Sequence, residues 1–179
     1  MKKYLFVAVL ALASVMAYAQ PRAIGANPGS NLGFSYQHGF GDANMLDVAV
    51  YVPWSSGYYN TMGVKGVNWG IGGIVTYDWI DPFNAPVPWN EKGEWHWYMG
   101  VGGAGGVIFP KNGIGAGGWV GAAGHIGIEY DFWFPLQLSL DWRPVLGVAM
   151  GDNGMGGTNV DFNKGGLYDG ITIGIRYKF

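Results

Sequence analysis

The chain has 179 residues and no cysteine. Its formal charge is −2, with 12 % charged residues, 16 % aromatics and 33 glycines. Without cysteine there is no disulfide scaffold, thiolate metal site or lipidated amino terminus, and a slightly acidic balance excludes an electrostatic nucleic-acid binder. An ordinary soluble domain has about 25 % charged residues and about 7 % glycine; so little charge beside so many aromatics suits a wall that faces lipid.

The chain opens MKKYLFVAVLALASVMAYAQ. Lys2 and Lys3 precede an apolar run from Tyr4 to Met16, and Ala17-Tyr18-Ala19 is a small-residue cleavage site. This reads as a secretory signal peptide over residues 1–19, leaving 20–179 as one domain. The apolar run is too short to span a bilayer as a helix, and no later stretch reaches the roughly 18 apolar residues that a spanning helix needs. Loss of Lys2 and Lys3 leaves 8 of the 10 basic residues against 12 acidic ones, a charge of −4.

Beyond the leader the chain shows period two rather than a helical period, in roughly eight stretches broken by turn-forming clusters. The first, Arg22 to Ala26, is short and weakly marked. The second, Asn31 to Gly39, sets Leu32, Phe34 and Tyr36 against Ser35 and Gln37. Gly41-Asp42-Ala43-Asn44 is a tight connection. The third, Met45 to Val52, turns Leu46, Val48, Val50 and Val52 outward and Asp47 inward. Pro53 to Gly66 reads as a loop.

The fourth stretch, Asn68 to Ile80, aligns Trp69, Ile71, Val75, Tyr77 and Trp79 on one face. Trp69 and Trp79 are ten residues apart. That interval is about 33 Å at roughly 3.3 Å per residue. Tilted by about 40° it becomes about 25 Å, the height of an apolar band between two aromatic girdles. Asp81 to Glu94 reads as a loop. The fifth stretch, Trp95 to Phe109, has Trp97, Met99, Val101 and Val107 on one face. Its other face carries His96, Tyr98 and a run of glycines. A loop over Pro110 to Gly118 follows.

The sixth stretch, Val120 to Phe132, places Ile126, Ile128, Tyr130 and Phe132 outward, with His125, Glu129 and Asp131 inward. Trp133-Phe134-Pro135 is a short turn. The seventh starts at Leu136, with Leu138, Leu140 and Trp142 opposite Gln137, Ser139, Asp141 and Arg143. Pro144 has no N–H for a ladder, so it implies a bulge or the end of pairing. Gly151 to Gly166 reads as a long loop. The last stretch alternates from Ile171 through Ile173, Ile175 and Tyr177 to Phe179, with Arg176 and Lys178 on the other face. An exposed strand of that kind invites aggregation unless a closed barrel pairs it with the first strand. The expected fold is therefore all-β: an antiparallel, up-and-down, eight-stranded transmembrane β-barrel.

The leader, the alternating strands and the terminal Tyr177-Lys178-Phe179 resemble the small outer-membrane barrels of the OmpA/OmpX type. Ser35-Tyr36-Gln37-His38, Ser139-Leu140-Asp141-Trp142-Arg143-Pro144 and Ile175 to Phe179 look like those of short Gram-negative outer-membrane barrel proteins. The resemblance covers nearly all of the chain after the leader. It implies an outer-membrane location, contact with outer-membrane lipid, and recognition of Tyr177 and Phe179 by the barrel-assembly machinery. It implies no particular activity, since that broad group includes inert barrels, adhesins and lipid enzymes.

The candidate chemistry is sparse. Asp47, Glu129, Asp131, Asp141, Arg143, Arg176 and Lys178 fall on lumen faces, where buried charges must pair; they read as a polar network filling a narrow barrel. Trp69, Trp79, Trp97, Tyr177 and Phe179 read as membrane girdle. His38, His96 and His125 lack the short spacing of metal ligands, with His38 and His96 suited to a membrane interface and His125 to a lumen hydrogen bond. Gly100 to Gly105 matches G-x-G-x-x-G but leads into Val107-Ile108-Phe109-Pro110 rather than a helix, so the glycines serve packing. Ser55, Ser56 and Thr61, or Thr158 with Asp161, would be needed for a lipid-modifying enzyme, yet no histidine base lies in those loops. Tyr58, Tyr59, Met62, Trp119 and Met155, expected in external loops, suit a headgroup girdle or an extracellular partner. The expectation is a non-catalytic structural or surface-interaction barrel without metal or cofactor; the alternatives are a narrow pore or small-ligand barrel, and a lipid-modifying enzyme.

Overall fold

In the computed structural model the described residues are 21–29, 32–52, 67–82, 92–110, 117–152, 158–163 and 170–179. They form β1 (Pro21–Asn27), β2 (Leu32–Gly39), β3 (Asn44–Val52), β4 (Val67–Pro82) and β5 (Gly93–Pro110), then β6 (Gly117–Phe132), β7 (Gln137–Trp142), β8 (Val145–Asp152), β9 (Thr158–Asn163) and β10 (Ile171–Lys178). No helix among them is long and apolar enough to cross a membrane.

The ten segments build eight walls. β1 to β6 are one wall each, each antiparallel to its sequence neighbour. β7 and β8 both pair with β6 and together make the seventh. β10 pairs with β7 and β9 with β8, which makes the eighth. β10 then pairs with β1, from Ala23 opposite Lys178 to Ala26 opposite Ile175. The result is a closed, eight-stranded, antiparallel up-and-down barrel. Closure leaves the alternating last strand no free edge, which is how its apolar row is tolerated.

Register decides which residues face inward, because side chains alternate along a strand. Asp47 opposes Gln37 on one side and Thr76 on the other, and all three side chains are buried. One residue along, Val48 opposes Tyr36 and Val75, and Val75 is exposed. The pattern repeats around the barrel. Phe34, Val50, Val101, Ile126, Leu140, Leu146 and Ile173 are exposed on the outer wall, and Ser35, His125, Glu129, Asp141 and Arg176 are buried.

Pro144 is an interruption without a bulge toward β6. Trp142 opposes Ile126 and Val145 opposes Ala123, so three steps on one wall match three on the other. The Pro144 carbonyl accepts a hydrogen bond from the Gly124 N–H at 2.8 Å, and the Arg143 N–H donates to the Gly170 carbonyl at 2.9 Å. Proline itself has no N–H to continue the ladder.

Several boundaries differ from the sequence reading. β4 runs on to Pro82 and β5 starts at Gly93, so pairing continues into the expected Asp81 to Glu94 loop, with Asp81 opposite Trp97. β5 and β6 likewise extend to Pro110 and Gly117. Within the expected Gly151 to Gly166 loop, β8 reaches Asp152 and β9 occupies Thr158–Asn163. Backbone pairing needs no side chains, so Gly, Asn and Asp can carry a ladder that their composition does not announce. Trp119 is not a loop residue: it lies in β6, buried and facing inward. Tyr130 keeps its outward place but is covered by Trp95, at 4.9 Å between ring centroids, and by Phe132 at 4.6 Å. Residues 1–19, the 53–66 loop with Ser55, Ser56, Tyr58, Tyr59, Thr61 and Met62, and Met155 lie outside the described residues.

Candidate functional site

The interior is layered along the barrel axis. At the end away from the short turns of residues 40–43 and 133–136, Tyr51, Ile74, Ala104, Trp119, Ala123, Val145 and Ala149 form an apolar cluster. The Tyr51 and Trp119 rings lie 6.4 Å apart. Tyr51, Ile74 and Arg143 help line a void of about 30 Å³ at this level.

Below this cluster is the ionic centre. Arg143 forks onto Asp47, with Nη1 2.8 Å from Oδ1 and Nη2 3.3 Å from Oδ2. These residues come from the third and seventh walls, so the side chains meet across the lumen, as expected where an eight-stranded interior is just wide enough for side chains to fill it. Arg176 on β10 is buried with its donors engaged: Nε donates to Ser35 Oγ at 2.8 Å, Nη1 to Ser139 Oγ at 2.7 Å and Gln137 Oε1 at 3.3 Å, and Nη2 to Asp141 Oδ2 at 3.2 Å. Asp141 thus serves two guanidiniums, with Arg143 Nη2 at 3.5 Å, and it accepts from the Tyr98 hydroxyl.

Beside the arginines lies a second polar group. His125 Nδ1 is 3.0 Å from Asp78 Oδ1 and 3.3 Å from Thr76 Oγ1, and its ring packs 4.8 Å from that of Tyr98. The expected lumen hydrogen bond of His125 is therefore made, with Asp78 as the main partner. Met45, Ile80 and Tyr98 form a small apolar cluster toward the short-turn end.

At that end the charges reopen toward solvent. Arg22 on β1 pairs with Glu129, and Lys178 Nζ is 2.9 Å from Asp131 Oδ2. His96 sits directly opposite Glu129 in the β5–β6 ladder. Its Nδ1 is 3.9 Å from Glu129 Oε1 and 4.0 Å from Asp131 Oδ2. It thus faces the lumen charges rather than an outer interface. One ligand atom from each of His96, Glu129 and Asp131 lies within 4.8 Å of the others, the one such group among the described residues.

All seven charged residues read from the sequence as lumen-facing come together here: Asp47, Asp141, Arg143 and Arg176 at the centre, Glu129, Asp131 and Lys178 at the mouth. Two charged members were missed. Asp78 was signalled by its place two residues from Thr76 on the face opposite Val75. Arg22 follows a proline in a weakly marked strand and carried little signal. No protein-family model, curated protein or solved structure matches this chain.

Among the aromatics expected to form a girdle, Trp79, Trp97, Tyr177 and Phe179 are exposed on the outer wall at the short-turn end. Trp79 packs edge-on to Tyr77, and Tyr177 to Phe179. Trp69 lies in β4 opposite Phe109; its side chain is outside the described residues. Chemically, the centre is an ion-pair lattice whose carboxylates are held by guanidiniums and hydroxyls. The apolar cluster lies above it and a void of about 30 Å³ beside it.

Proposed function

We propose that the chain is an integral outer-membrane β-barrel with a polar, side-chain-filled lumen, acting as a structural or surface-interaction protein without catalysis. One observation carries this reading: the wall is inverted relative to a soluble protein. Ile173 is 52 % exposed and Leu140 53 %, whereas Asp47 is 0 % and Arg176 1 % exposed. In water, one contiguous apolar patch rarely exceeds a few hundred Å² on a monomer, and here apolar rows girdle the outer wall. In hydrocarbon the same rows are well solvated, and a closed barrel leaves no backbone group unsatisfied. The aromatics at the short-turn end suit the headgroup boundary. The basic-then-apolar pattern of residues 2–19 fits export.

Fractionation of Gram-negative cells expressing the whole chain tests this. The expected result is recovery in the outer-membrane fraction, with a gel mobility that shifts on boiling as the barrel unfolds. Recovery as a soluble periplasmic protein without detergent would overturn the proposal.

A further inference from the structure

We infer that the short-turn mouth of the barrel holds a divalent transition-metal site built from His96, Glu129 and Asp131. The ladder places them: His96 and Glu129 are a directly opposed cross-strand pair, and Asp131 follows Glu129 by two residues on the same face. The opposed pair starts about 4.5–5.5 Å apart at Cβ, and Asp131, diagonal to His96, starts about 7–8 Å from it, still within reach of long side chains. An imidazole nitrogen with two carboxylate oxygens suits zinc and its first-row neighbours better than calcium or magnesium, which prefer oxygen alone.

The second observation is a set of orphaned atoms. The cations use one oxygen of each carboxylate: Arg22 takes Glu129 Oε1 and Lys178 takes Asp131 Oδ2. Glu129 Oε2, Asp131 Oδ1 and His96 Nδ1 are buried and have no hydrogen-bond partner in the protein. The Glu129 side chain is fully buried, so an unpartnered oxygen there is costly. The oxygens nearest His96 Nδ1 are those the two cations hold, at 3.9 and 4.0 Å; a divalent ion there takes the carboxylates over from Arg22 and Lys178 and gives His96 Nδ1 a partner.

The geometry needs a small adjustment. Ligand atoms that share a zinc at about 2.0–2.1 Å lie roughly 3.3 Å apart, against the present spread of up to 4.8 Å. Side-chain rotation supplies the difference. The two competing cations can move aside: Lys178 is partly exposed, and Arg22 has Gln37 Oε1 in reach at 3.5 Å. Entry is through the open cavity of about 540 Å³ that Asp131, Glu94 and Lys178 line. The inference rests on the barrel register and not on the proposed cellular location.

The test is a titration of the untagged, folded chain in detergent with Zn²⁺ against a chromophoric chelator. The expected result is one Zn²⁺ per chain. H96A removes a ligand and should weaken it by at least the roughly 10–100-fold that loss of an outer-shell partner costs, while the heat-modifiable gel band is kept. K178M, which frees an Asp131 oxygen and removes a charge, should tighten binding by about tenfold. D131N serves in place of H96A should the latter not fold. Absence of binding to the wild type, an affinity unchanged in the folded ligand variant, or weaker binding in K178M would overturn the inference.

Discussion

Asp47 shows how much can depend on one side chain. It is fully buried, it receives both Nη groups of Arg143, and Arg176 Nη2 lies 3.8 Å from its Oδ2. Asp47→Ala leaves a guanidinium buried with one carboxylate, Asp141, in place of two. Breaking one side of a buried pair costs roughly 3–5 kcal/mol, against a total of about 5–15 kcal/mol for a typical domain. D47A is expected to lower the unfolding free energy by that order, read as a lower urea midpoint at unchanged slope, and an unchanged midpoint would show that the lattice contributes little. The residue was legible in the sequence because it is the one charge in an otherwise apolar strand, at the inward phase of the alternation. Trp119 was not: one aromatic after a glycine run has no phase of its own, and only pairing with Ala149 and Gly106 fixes it inward.

At the scale of the strand, glycine decides how closely neighbours approach. A Cβ on Gly102 would fall 1.9 Å from the Val75 carbonyl oxygen and 2.7 Å from Thr76 Cα, which is into the backbone of β4. Next to it on the outward face, a Cβ on Gly103 would have its nearest contact at 3.9 Å, with the Gly121 oxygen. Gly102→Ala must therefore push β4 and β5 apart, at roughly 1–3 kcal/mol, while Gly103→Ala should be near neutral. Urea unfolding of the two variants checks this, and equal midpoints would contradict it. The sequence reading assigned these glycines to packing rather than to nucleotide binding, but it could not say which faced a neighbouring backbone. Strand extents were under-read for a related reason: Gly, Pro and Asn near strand ends signal turns by composition, whereas the ladder through Asp81 and β9 depends on the backbone alone.

For the whole molecule, fold class and facing came from a single period. Alternation sorted apolar from ionic residues strand by strand, and closure followed because a last strand so patterned needs a partner. The third dimension was hidden. No spacing along the chain says that Asp47 and Arg143, 96 positions apart, meet across the lumen, or that an apolar layer lies above them. The mouth cluster was obscured likewise, since His96 and Glu129 are neighbours only through the β5–β6 register.

The central claim is the orientation of the wall toward lipid. Since the chain has no cysteine, single variants Val75→Cys, Leu140→Cys and Ile173→Cys can each carry a spin label on the barrel reconstituted in bilayers. Collision of the label with dissolved oxygen, set against collision with a water-soluble nickel chelate, reports its surroundings. The account predicts three labels open to oxygen and shielded from nickel. Labels that meet the nickel chelate as freely as one on a water-exposed surface would contradict it.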